Sequence, residues 1–432
     1  MTLVRRTAPF SLFLLCATFS FSCARFNPPP MDTIPFKERA QTQERGGLKV
    51  SVAVPSRDEA KRGFGVDVAD KHIQPVWIRI ENNSEMPYVL MLHAVDPAYY
   101  AAREAAYGFH KRLRFSRNKK IDRHFASLGM NPVVLPGGVT EGFVFSHLKL
   151  GTKEVRVKLQ GPKHVQDFEF YARVPGFTID HHEVNWEALL AKEFTDYEDE
   201  ESFRKTLADL PCCTTRITGG GKGDPINLVF IGSKDDVASA LIRSGWDETE
   251  KLTFRTAMRT FRAFFGGQYK YSPMSPLYFF GRSHDAGYQK ARDTIRQRNH
   301  LRLWLSPLQY KGKHVWVGTI TRDIGVYFTW RTWRLTNHAV DPNVDEARRY
   351  LREDFAIAEA IQHFGHAKGV GAATPEKPHR NLMGAHWWTD GLRLVVELSE
   401  QPVPLVEQGF FYWDWPVPDS EEINRELREF SE

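Results

Sequence analysis

The chain has 432 residues, of which 42% are hydrophobic and 26% are charged. Its 58 Lys and Arg residues stand against 53 Asp and Glu residues, and both signs are spread along the chain rather than gathered in one basic stripe. This distribution argues against nucleic acid as a partner, and the length predicts two or three domains at about 150 residues per domain.

The first 22 residues have the layout of a secretory signal peptide. Arg5 and Arg6 precede an apolar run over 10–21. This run is shorter than the ~20 residues that a membrane-spanning helix needs. We therefore predict a signal peptide over 1–22.

Two processing routes are open at the end of this segment. Ordinary signal peptidase can cleave after Ser22, or Cys23 can become the lipidated first residue of a lipoprotein. The Phe- and Pro-rich stretch over 24–30 is typical of a tether, which favours the lipoprotein. We predict lipidation of Cys23 and a tether over 23–44.

Residues 45–178 are predicted to form an antiparallel β-sandwich with a helical insertion. Apolar and polar residues alternate, as in half-buried strands, in six segments: 48–54, 74–82, 88–92, 142–145, 154–159 and 167–172. The insertion over 97–125 carries a basic run from Lys111 to Arg123. We interpret this run as a solvated face, with a membrane or polymer contact as the alternative.

An acidic segment over 179–221 is predicted to connect two domains. It contains the adjacent Cys212 and Cys213, which either form a disulfide ring or include one cysteine buried as a small apolar side chain. Both interpretations are structural, because the neighbouring Pro211 and Thr214 supply no base or cation that would activate a thiol.

The next stretch predicts a strand, a turn and a helix at the centre of a second domain. The apolar run 226–231 is bounded by Gly232, which is typical of a strand buried on both faces. Ser233 and Asp236 have the spacing of a capping box, and Gly245 ends the helix that follows. The run is therefore predicted to be a central strand.

Further elements complete a mixed α/β sheet. We predict strands and helices in the following segments: strands over 301–305, 314–320, 325–330 and 392–398, and helices over 251–265, 341–354 and 419–432. Asp341 is the predicted N-cap of its helix, and Pro342 is the predicted first-turn proline.

Six segments of this region resemble the LssY C-terminal domain family of bacterial envelope proteins: 223–232, 244–246, 275–285, 299–304, 315–318 and 337–345. The resemblance spans roughly 222–355. In that family the domain also occurs fused to membrane phosphatase-like modules, and its own activity is not established. The resemblance thus implies a fold and a location more directly than a reaction.

The predicted fold class is α+β multidomain. An antiparallel β-sandwich is followed by a mixed-sheet α/β domain of the LssY C-terminal type over 222–400, and then by a tail and helix over 401–432. Together with the signal peptide, the resemblance implies a bacterial cell-envelope protein that faces the periplasm and is anchored to a membrane through lipid.

Charged residues recur in the segments that carry the resemblance. Strand alternation directs His300 and Arg302 to the same side. Arg282 and Asp285 precede them on a loop, and Arg298 is close by. Guanidinium groups bind phosphate and carboxylate oxygens bidentately, so these residues predict a site for an anion.

His338 and Asp341 are the other ligand-binding candidates. With Asp345 they combine an imidazole with carboxylates, which can hold a hard cation or orient a general base. Helix capping explains Asp341 and the helix dipole explains Asp345, so no metal is predicted. We expect five of the candidates to converge on one concave surface: Arg282, Asp285, His300, Arg302 and His338.

The common catalytic templates are absent from the sequence. It lacks a Gly-x-Ser-x-Gly elbow, a His-Glu-x-x-His pair and a Walker loop, and the glycines at 219–221 precede a strand instead of following it. We predict no cofactor. The predicted function is binding of an anionic envelope ligand or partner that bears phosphate or carboxylate. The alternative is a phosphoester or lipid hydrolase with His300 or His338 as its acid-base residue.

Overall fold

The computed structural model describes residues 26–176, 184–249, 274, 276–291, 298–328 and 336–416. The predicted signal peptide, the predicted lipidation site and the predicted helices over 251–265 and 419–432 lie outside the described residues.

The described chain forms an N-terminal region and a C-terminal region, and both contain helices and strands. The α-helices are α1 (Arg57–Phe64), α2 (Leu92–Val95), α3 (Ala102–Tyr107), α4 (Phe115–Leu128), α5 (Trp186–Leu190), α6 (Glu200–Asp209), α7 (Lys234–Arg243) and α8 (Val344–Ile357). The strands of the N-terminal region are β1 (Gln41–Arg45), β2 (Leu48–Ala53), β3 (Ile73–Asn82), β4 (Tyr88–Leu90), β5 (Val133–Val134), β6 (Val139–His147), β7 (Thr152–Gln160) and β8 (Val165–Arg173).

The strands of the C-terminal region are β9 (Thr195–Tyr197), β10 (Leu228–Ile231), β11 (Asp247–Glu248), β12 (Tyr278–Phe279), β13 (Arg282–Ser283), β14 (Ala286–Ala291), β15 (Arg298–Tyr310), β16 (Lys313–Phe328), β17 (Thr336–Val340), β18 (Ile361–Lys368), β19 (His379–Arg380), β20 (His386–Trp387), β21 (Leu392–Leu398) and β22 (Gly409–Phe410).

The N-terminal region is an antiparallel β-sandwich. Its two four-stranded sheets have the strand orders β1-β2-β3-β6 and β5-β4-β7-β8. Alternate residues of each strand point inward, so that Val50 and Val52 of one sheet share a core with Val155 and Val157 of the other. The predicted sandwich is therefore confirmed.

The helical insertion packs on the outer face of the first sheet. Helix α4 buries Ile121 and Phe125 against a second apolar cluster that includes Phe64, Phe143 and Phe145. Strands β3 and β6 are thus covered on both faces, because β3 places alternate side chains in each of the two cores.

The C-terminal region is built on one large mixed sheet with the order β11-β14-β15-β16-β10-β21-β18-β22. Strand β10 lies between β16, which is antiparallel to it, and β21, which is parallel. All four of its residues are buried. Ser233 and Asp236 form the predicted capping box at the start of α7. The central strand and the mixed sheet are therefore confirmed.

Both faces of this sheet are covered. Helices α7 and α8 pack on one face, where Leu301 and Leu303 of β15 point. On the other face Trp304 packs in a core with Phe203 of α6 and with Trp413 near the C-terminal end of the described chain. The domain therefore has three layers, with the sheet in the middle.

Two predicted boundaries are corrected by these contacts. Strand β9 pairs with β15, and α6 buries Phe203 and Leu207 beneath the large sheet, so the second half of the predicted connector 179–221 belongs to the large domain. Two apolar residues spaced four apart make this a packed helix despite its acidic composition. Part of the predicted tail belongs to the same domain, because Phe411 lies in the same core.

Two predicted elements also differ in extent. The strands predicted over 314–320 and 325–330 form the single strand β16, because the polar residues between them are paired within the sheet. Helix α8 begins at Val344 with Asn343 as its N-cap, whose side chain accepts a hydrogen bond from Asp345 N at 3.3 Å. Asp341 lies two residues before this cap and is not the N-cap that we predicted.

Cys212 and Cys213 form a disulfide. Cys213 is buried in a small cluster with Val344, Val370 and Trp387. Both structural alternatives for this pair are therefore realised together. Since the two cysteines are adjacent, the bond closes almost no loop, and packing accounts for most of what the pair contributes to stability.

The sandwich and the large domain meet where strands β7 and β8 approach helix α7 and strand β11. Glu248 accepts hydrogen bonds from Thr152 N at 2.6 Å and from Thr152 Oγ1 at 3.1 Å. Beside this contact lies a cavity of about 680 Å³, whose lining includes Trp186, Tyr288 and Trp316. The two regions are thus joined by specific polar contacts around an open space.

Candidate functional site

The polar face of β15 is the starting point for a site. His300 pairs with Gln289 of β14 and Thr321 of β16, while Arg302 pairs with Gly287 and Thr319. Directly opposed residues of antiparallel strands lie on the same face, so these side chains form two adjacent rows. The leucines of β15 point to the opposite face, as the alternation predicted.

His300 forms a close pair with an acidic residue that the sequence did not single out. Its Nε2 lies 2.7 Å from Asp323 Oδ2. Arg298 Nε lies 2.9 Å from the same ring nitrogen and 3.8 Å from the same carboxylate oxygen. A neutral ring nitrogen cannot both donate and accept, and the contact with the carboxylate is the shorter one. We therefore assign the Nε2 proton to the bond with Asp323.

Burial controls the charge of this histidine. His300 is 7% exposed, and burial lowers the pKa of its imidazole to about 4, with Arg298 and Arg302 lowering it and Asp323 opposing them. Its second ring nitrogen, Nδ1, lies 3.0 Å from Met274 Sδ. At neutral pH His300 is therefore an uncharged residue that donates to Asp323 and faces a thioether.

Arg298 and Arg302 supply positive charge to the same buried face. Arg298 donates from Nη1 to Gln289 Oε1 at 2.7 Å, and burial lowers the pKa of Arg298 to about 10, which leaves it charged at neutral pH. Arg302 is 9% exposed. The described side chains of this cluster thus bring two guanidinium groups together with one carboxylate, that of Asp323.

Thr319 adds a hydroxyl that has no hydrogen-bond partner among the described residues. It is fully buried and lies directly opposite Arg302. On the other side of Arg302, a Cβ at Gly287 would lie 2.8 Å from Met274 Cε and 2.6 Å from Thr249 Oγ1, so only glycine leaves room for these groups. A buried hydroxyl without a partner costs about 1–3 kcal/mol, which makes Thr319 the least satisfied group of the cluster.

Arg282 and Asp285 are engaged with each other. Arg282 Nη2 lies 2.7 Å from Asp285 Oδ2 and donates to Leu305 O at 2.6 Å, while Leu305 N donates to Asp285 Oδ2 at 2.7 Å. Asp285 is buried. This ion pair fastens the turn after β13 to β15, so its charges serve the fold.

His338 and Asp341 lie elsewhere along the sheet. His338 pairs with Val326, five residues beyond Thr321 on β16, which corresponds to about 16 Å at 3.3 Å per residue. Asp341 accepts a hydrogen bond from Asn343 N at 3.0 Å in the turn before α8. The structure therefore brings His300 and Arg302 together and places His338 away from them.

The residues that sequence reasoning missed are Asp323, Gln289 and Thr319. The signal that could have found two of them is the alternation within 319–323. In one continuous strand, alternation places Thr319, Thr321 and Asp323 on the same face. The two strands predicted over 314–320 and 325–330 leave Thr321 and Asp323 between them, so the shared face is not recognised from the sequence.

The described residues contain no group of three or more His, Cys, Asp and Glu side chains arranged to hold a metal ion. Asp345, a possible cation ligand in the sequence, instead accepts hydrogen bonds from Thr389 Oγ1 and Asp390 N, both at 2.7 Å. Within the same described ranges, no helix combines the length and the apolar character needed to cross a membrane.

The fold and this cluster define an α+β protein whose large mixed sheet carries buried, positively charged side chains on one face. Residues 204–392 match the family model described as LssY C-terminus, so this part of the chain is an LssY C-terminal domain. The match begins inside α6 and ends at the start of β21, and it includes every residue of the cluster. Comparison with curated proteins gives no match.

Proposed function

We propose that the LssY C-terminal domain of this protein binds an anionic group, a phosphate or a carboxylate, on the polar face of β15 and β16. The observation that carries the proposal is the buried Thr319 hydroxyl, which has no partner and lies opposite Arg302. An anion oxygen accepts from a hydroxyl and from a guanidinium at the same time.

Charge supports the same assignment. Arg298 and Arg302 outnumber Asp323 among the described residues of the cluster, and all three are buried. A bound anion would interact favourably with both guanidinium groups. His300 is uncharged at neutral pH, so it does not change this balance.

Hydrolysis of a phosphoester or lipid is the second candidate function, and the pairing of His300 with Asp323 is the observation that favours it. In a hydrolase a ring nitrogen that bears no proton has to take one up. Here Nδ1 faces Met274 Sδ at 3.0 Å, while Nε2 donates to Asp323. The described geometry therefore favours binding over turnover.

We also propose that the protein is a lipoprotein of the bacterial cell envelope that faces the periplasm. The support is the order of basic residues, apolar run and Cys23 at the start of the sequence. Incorporation of radiolabelled palmitate into the parent, and its loss in Cys23→Ser, would test the anchor. A mature amino terminus other than Cys23 would contradict it.

Anion binding is tested by titrating the full chain with inorganic phosphate and with acetate in a calorimeter. Thr319→Val keeps the shape of the side chain and removes the hydroxyl, and we expect it to weaken binding about tenfold, since one hydrogen bond to a charged group is worth about 1.5–3 kcal/mol. Thr206→Val in α6 is the matched control and should bind like the parent.

The same variant separates binding from folding. Thr319→Val removes a buried group that has no partner, so the unfolding free energy without ligand should stay the same or rise. Equal affinity in Thr319→Val and the parent, or no heat of binding in the parent with either anion, would contradict the proposal. Release of phosphate from a phosphoester by the parent, lost in His300→Gln, would favour the hydrolase instead.

A further inference from the structure

A second surface, far in the sequence from the proposed anion site on β15 and β16, exposes large apolar side chains. Tyr107 ends α3, Leu113 lies in the turn that follows, and Phe115 begins α4, and these side chains are 70%, 79% and 71% exposed. We call residues 107–115 and the outward face of α4 the α3–α4 tip. A folded chain gains nothing from exposing three such groups together, so this patch points to a partner.

The backbone of Leu113 strengthens this point. Its φ of +64° lies in the left-handed region, where glycine or asparagine is the ordinary residue. A leucine that is both exposed and left-handed stabilises neither the core nor the turn. Its apolar side chain therefore calls for another explanation.

The charge of the tip indicates the kind of partner. Residues 111–123 contain seven Lys and Arg residues and one Asp. Helix α4 turns Ile121 and Phe125 inward, and it exposes Lys119, Lys120 and Arg123 on the side that also carries Phe115. The tip therefore combines apolar side chains with a surrounding positive field.

These basic side chains form no ion pair with a carboxylate in the part of the chain that the structure describes. No ion pair joins Lys119, Lys120 or Arg123 to another described residue, and the nearby Asp122 is engaged by His110 at 2.7 Å. By contrast, Arg57 at another exposed position of the sandwich is paired with Asp67. The positive charge of Lys119, Lys120 and Arg123 is thus available to an external anion.

The N-terminal end of the described chain also packs on this surface. The ring of Phe26 packs under the Arg117 guanidinium at 5.9 Å and against the His124 ring at 5.7 Å, and both partners belong to α4. Cys23 precedes Phe26 by three positions, which is at most about 10 Å of extended chain. A membrane anchor at Cys23 would therefore hold α4 close to the bilayer.

We propose that the α3–α4 tip docks on the surface of an anionic lipid bilayer. Leu113 and Phe115, with Tyr107, enter the interfacial region, while the lysine and arginine side chains contact the phosphate head groups. Two other strongly exposed apolar residues lie close to acidic residues instead, Ile357 near Glu359 and Val406 next to Glu407. The proposal is independent of the anion site in the LssY domain.

The test uses the full chain and two kinds of vesicle, pure phosphatidylcholine and a mixture with phosphatidylglycerol. The predicted signal peptide and any anchor are common to all variants, so the preference for phosphatidylglycerol reports the tip. We expect Lys119→Gln, Lys120→Gln and Arg123→Gln together to reduce this preference about a hundredfold, at roughly a factor of five for each basic residue. The matched control, Lys192→Gln with Lys205→Gln and Arg349→Gln, should behave like the parent.

A second variant tests the apolar contact. Leu113→Asn suits the left-handed backbone, so Leu113→Asn with Phe115→Ser should unfold at or above the temperature of the parent. We expect it to bind both kinds of vesicle about tenfold more weakly. Equal partition of the parent into the two vesicle types, or undiminished binding by either tip variant, would overturn the proposal. Soluble polyphosphate that binds the parent as tightly as vesicles do, without loss in Leu113→Asn with Phe115→Ser, would overturn it in favour of a polymer contact.

Discussion

Arg243 of helix α7 holds Glu169 of strand β8 through two hydrogen bonds, from Nε to Oε1 at 3.0 Å and from Nη2 to Oε2 at 2.8 Å. The Arg243 side chain is 2% exposed and also donates to Glu359 O and Ser399 O. One guanidinium thus joins the β-sandwich to two segments of the large domain. A planar fork of this kind fixes the relative orientation of its partners as well as their distance.

Removing this guanidinium should destabilise the protein strongly. In Arg243→Ala the Glu169 carboxylate stays partly buried without its main partner, and we expect the unfolding free energy to fall by about 3–5 kcal/mol. Chemical denaturation of the full chain measures this loss. Arg349→Ala, at an exposed position of α8, is the control and should cost less than about 0.5 kcal/mol. A cost for Arg243→Ala no larger than that of the control would refute the role of the pair.

Glu154 lies beside Glu169 at the same junction. Burial and the neighbouring carboxylate raise the pKa of Glu154 from 4.5 to about 7. The folded state therefore binds a proton that the unfolded chain has released between these two values. The stability that Glu154 contributes is full below pH 4.5 and is lost as the pH rises through 7.

We expect Glu154→Gln, which mimics the protonated carboxyl, to remove part of this pH dependence. Between pH 6 and pH 8 the unfolding free energy of the parent should fall by about 1 kcal/mol more than that of the variant. Denaturant titrations at several pH values measure the difference, and the more exposed Glu141→Gln serves as the control. Parallel curves for the parent and Glu154→Gln would show that Glu154 does not titrate in this range.

His366 of β18 should make the fold sensitive to acid. It is buried, its Nδ1 has no hydrogen-bond partner, and burial together with Arg348 and Arg352 lowers its pKa from 6.5 to about 4, although Asp390 and Asp414 oppose the change. The unfolded chain therefore binds the extra proton between pH 6.5 and pH 4. The contribution of neutral His366 is present above pH 6.5 and is lost as the pH falls towards 4.

Replacing His366 by leucine removes both the titrating group and the unpartnered nitrogen. The parent should lose about 2–3 kcal/mol more of its unfolding free energy between pH 7 and pH 4 than His366→Leu does. His300 contributes a loss of the same sign in both proteins, so the difference isolates His366. The exposed His386→Leu is the control, and identical acid profiles for the parent and His366→Leu would contradict the expectation.

Replacement of Asp285 tests whether this residue stabilises the fold through its ion pair with Arg282 or takes part in anion binding. Asp285→Asn should lower the unfolding free energy by about 2–4 kcal/mol, because Arg282 loses its charged partner and Leu305 N loses a carboxylate acceptor. Phosphate affinity of the folded variant, measured by calorimetry, should match that of the parent. A large loss of phosphate affinity with little loss of stability would show that Asp285 belongs to the binding site.

Periodicity in the sequence determined the architecture of this protein. Alternation over 154–159 indicated one sheet of the sandwich, and the unbroken apolar run over 226–231 indicated a strand buried on both faces. Ser233 and Asp236 marked the start of α7 through local spacing alone. These features could be predicted because burial on one face and helix capping depend on residues that are close together in the chain.

The tertiary structure alone decided which charged residues meet. Asp323 reaches His300 only through the register of β15 against β16, and Arg243 meets Glu169 only where the sandwich packs against the large domain. The extent of β16 was also decided by the sheet, since its polar middle residues are paired with β15 and β17. Strand register and ion pairing arise from contacts between distant segments, and no local pattern of residue types specifies them.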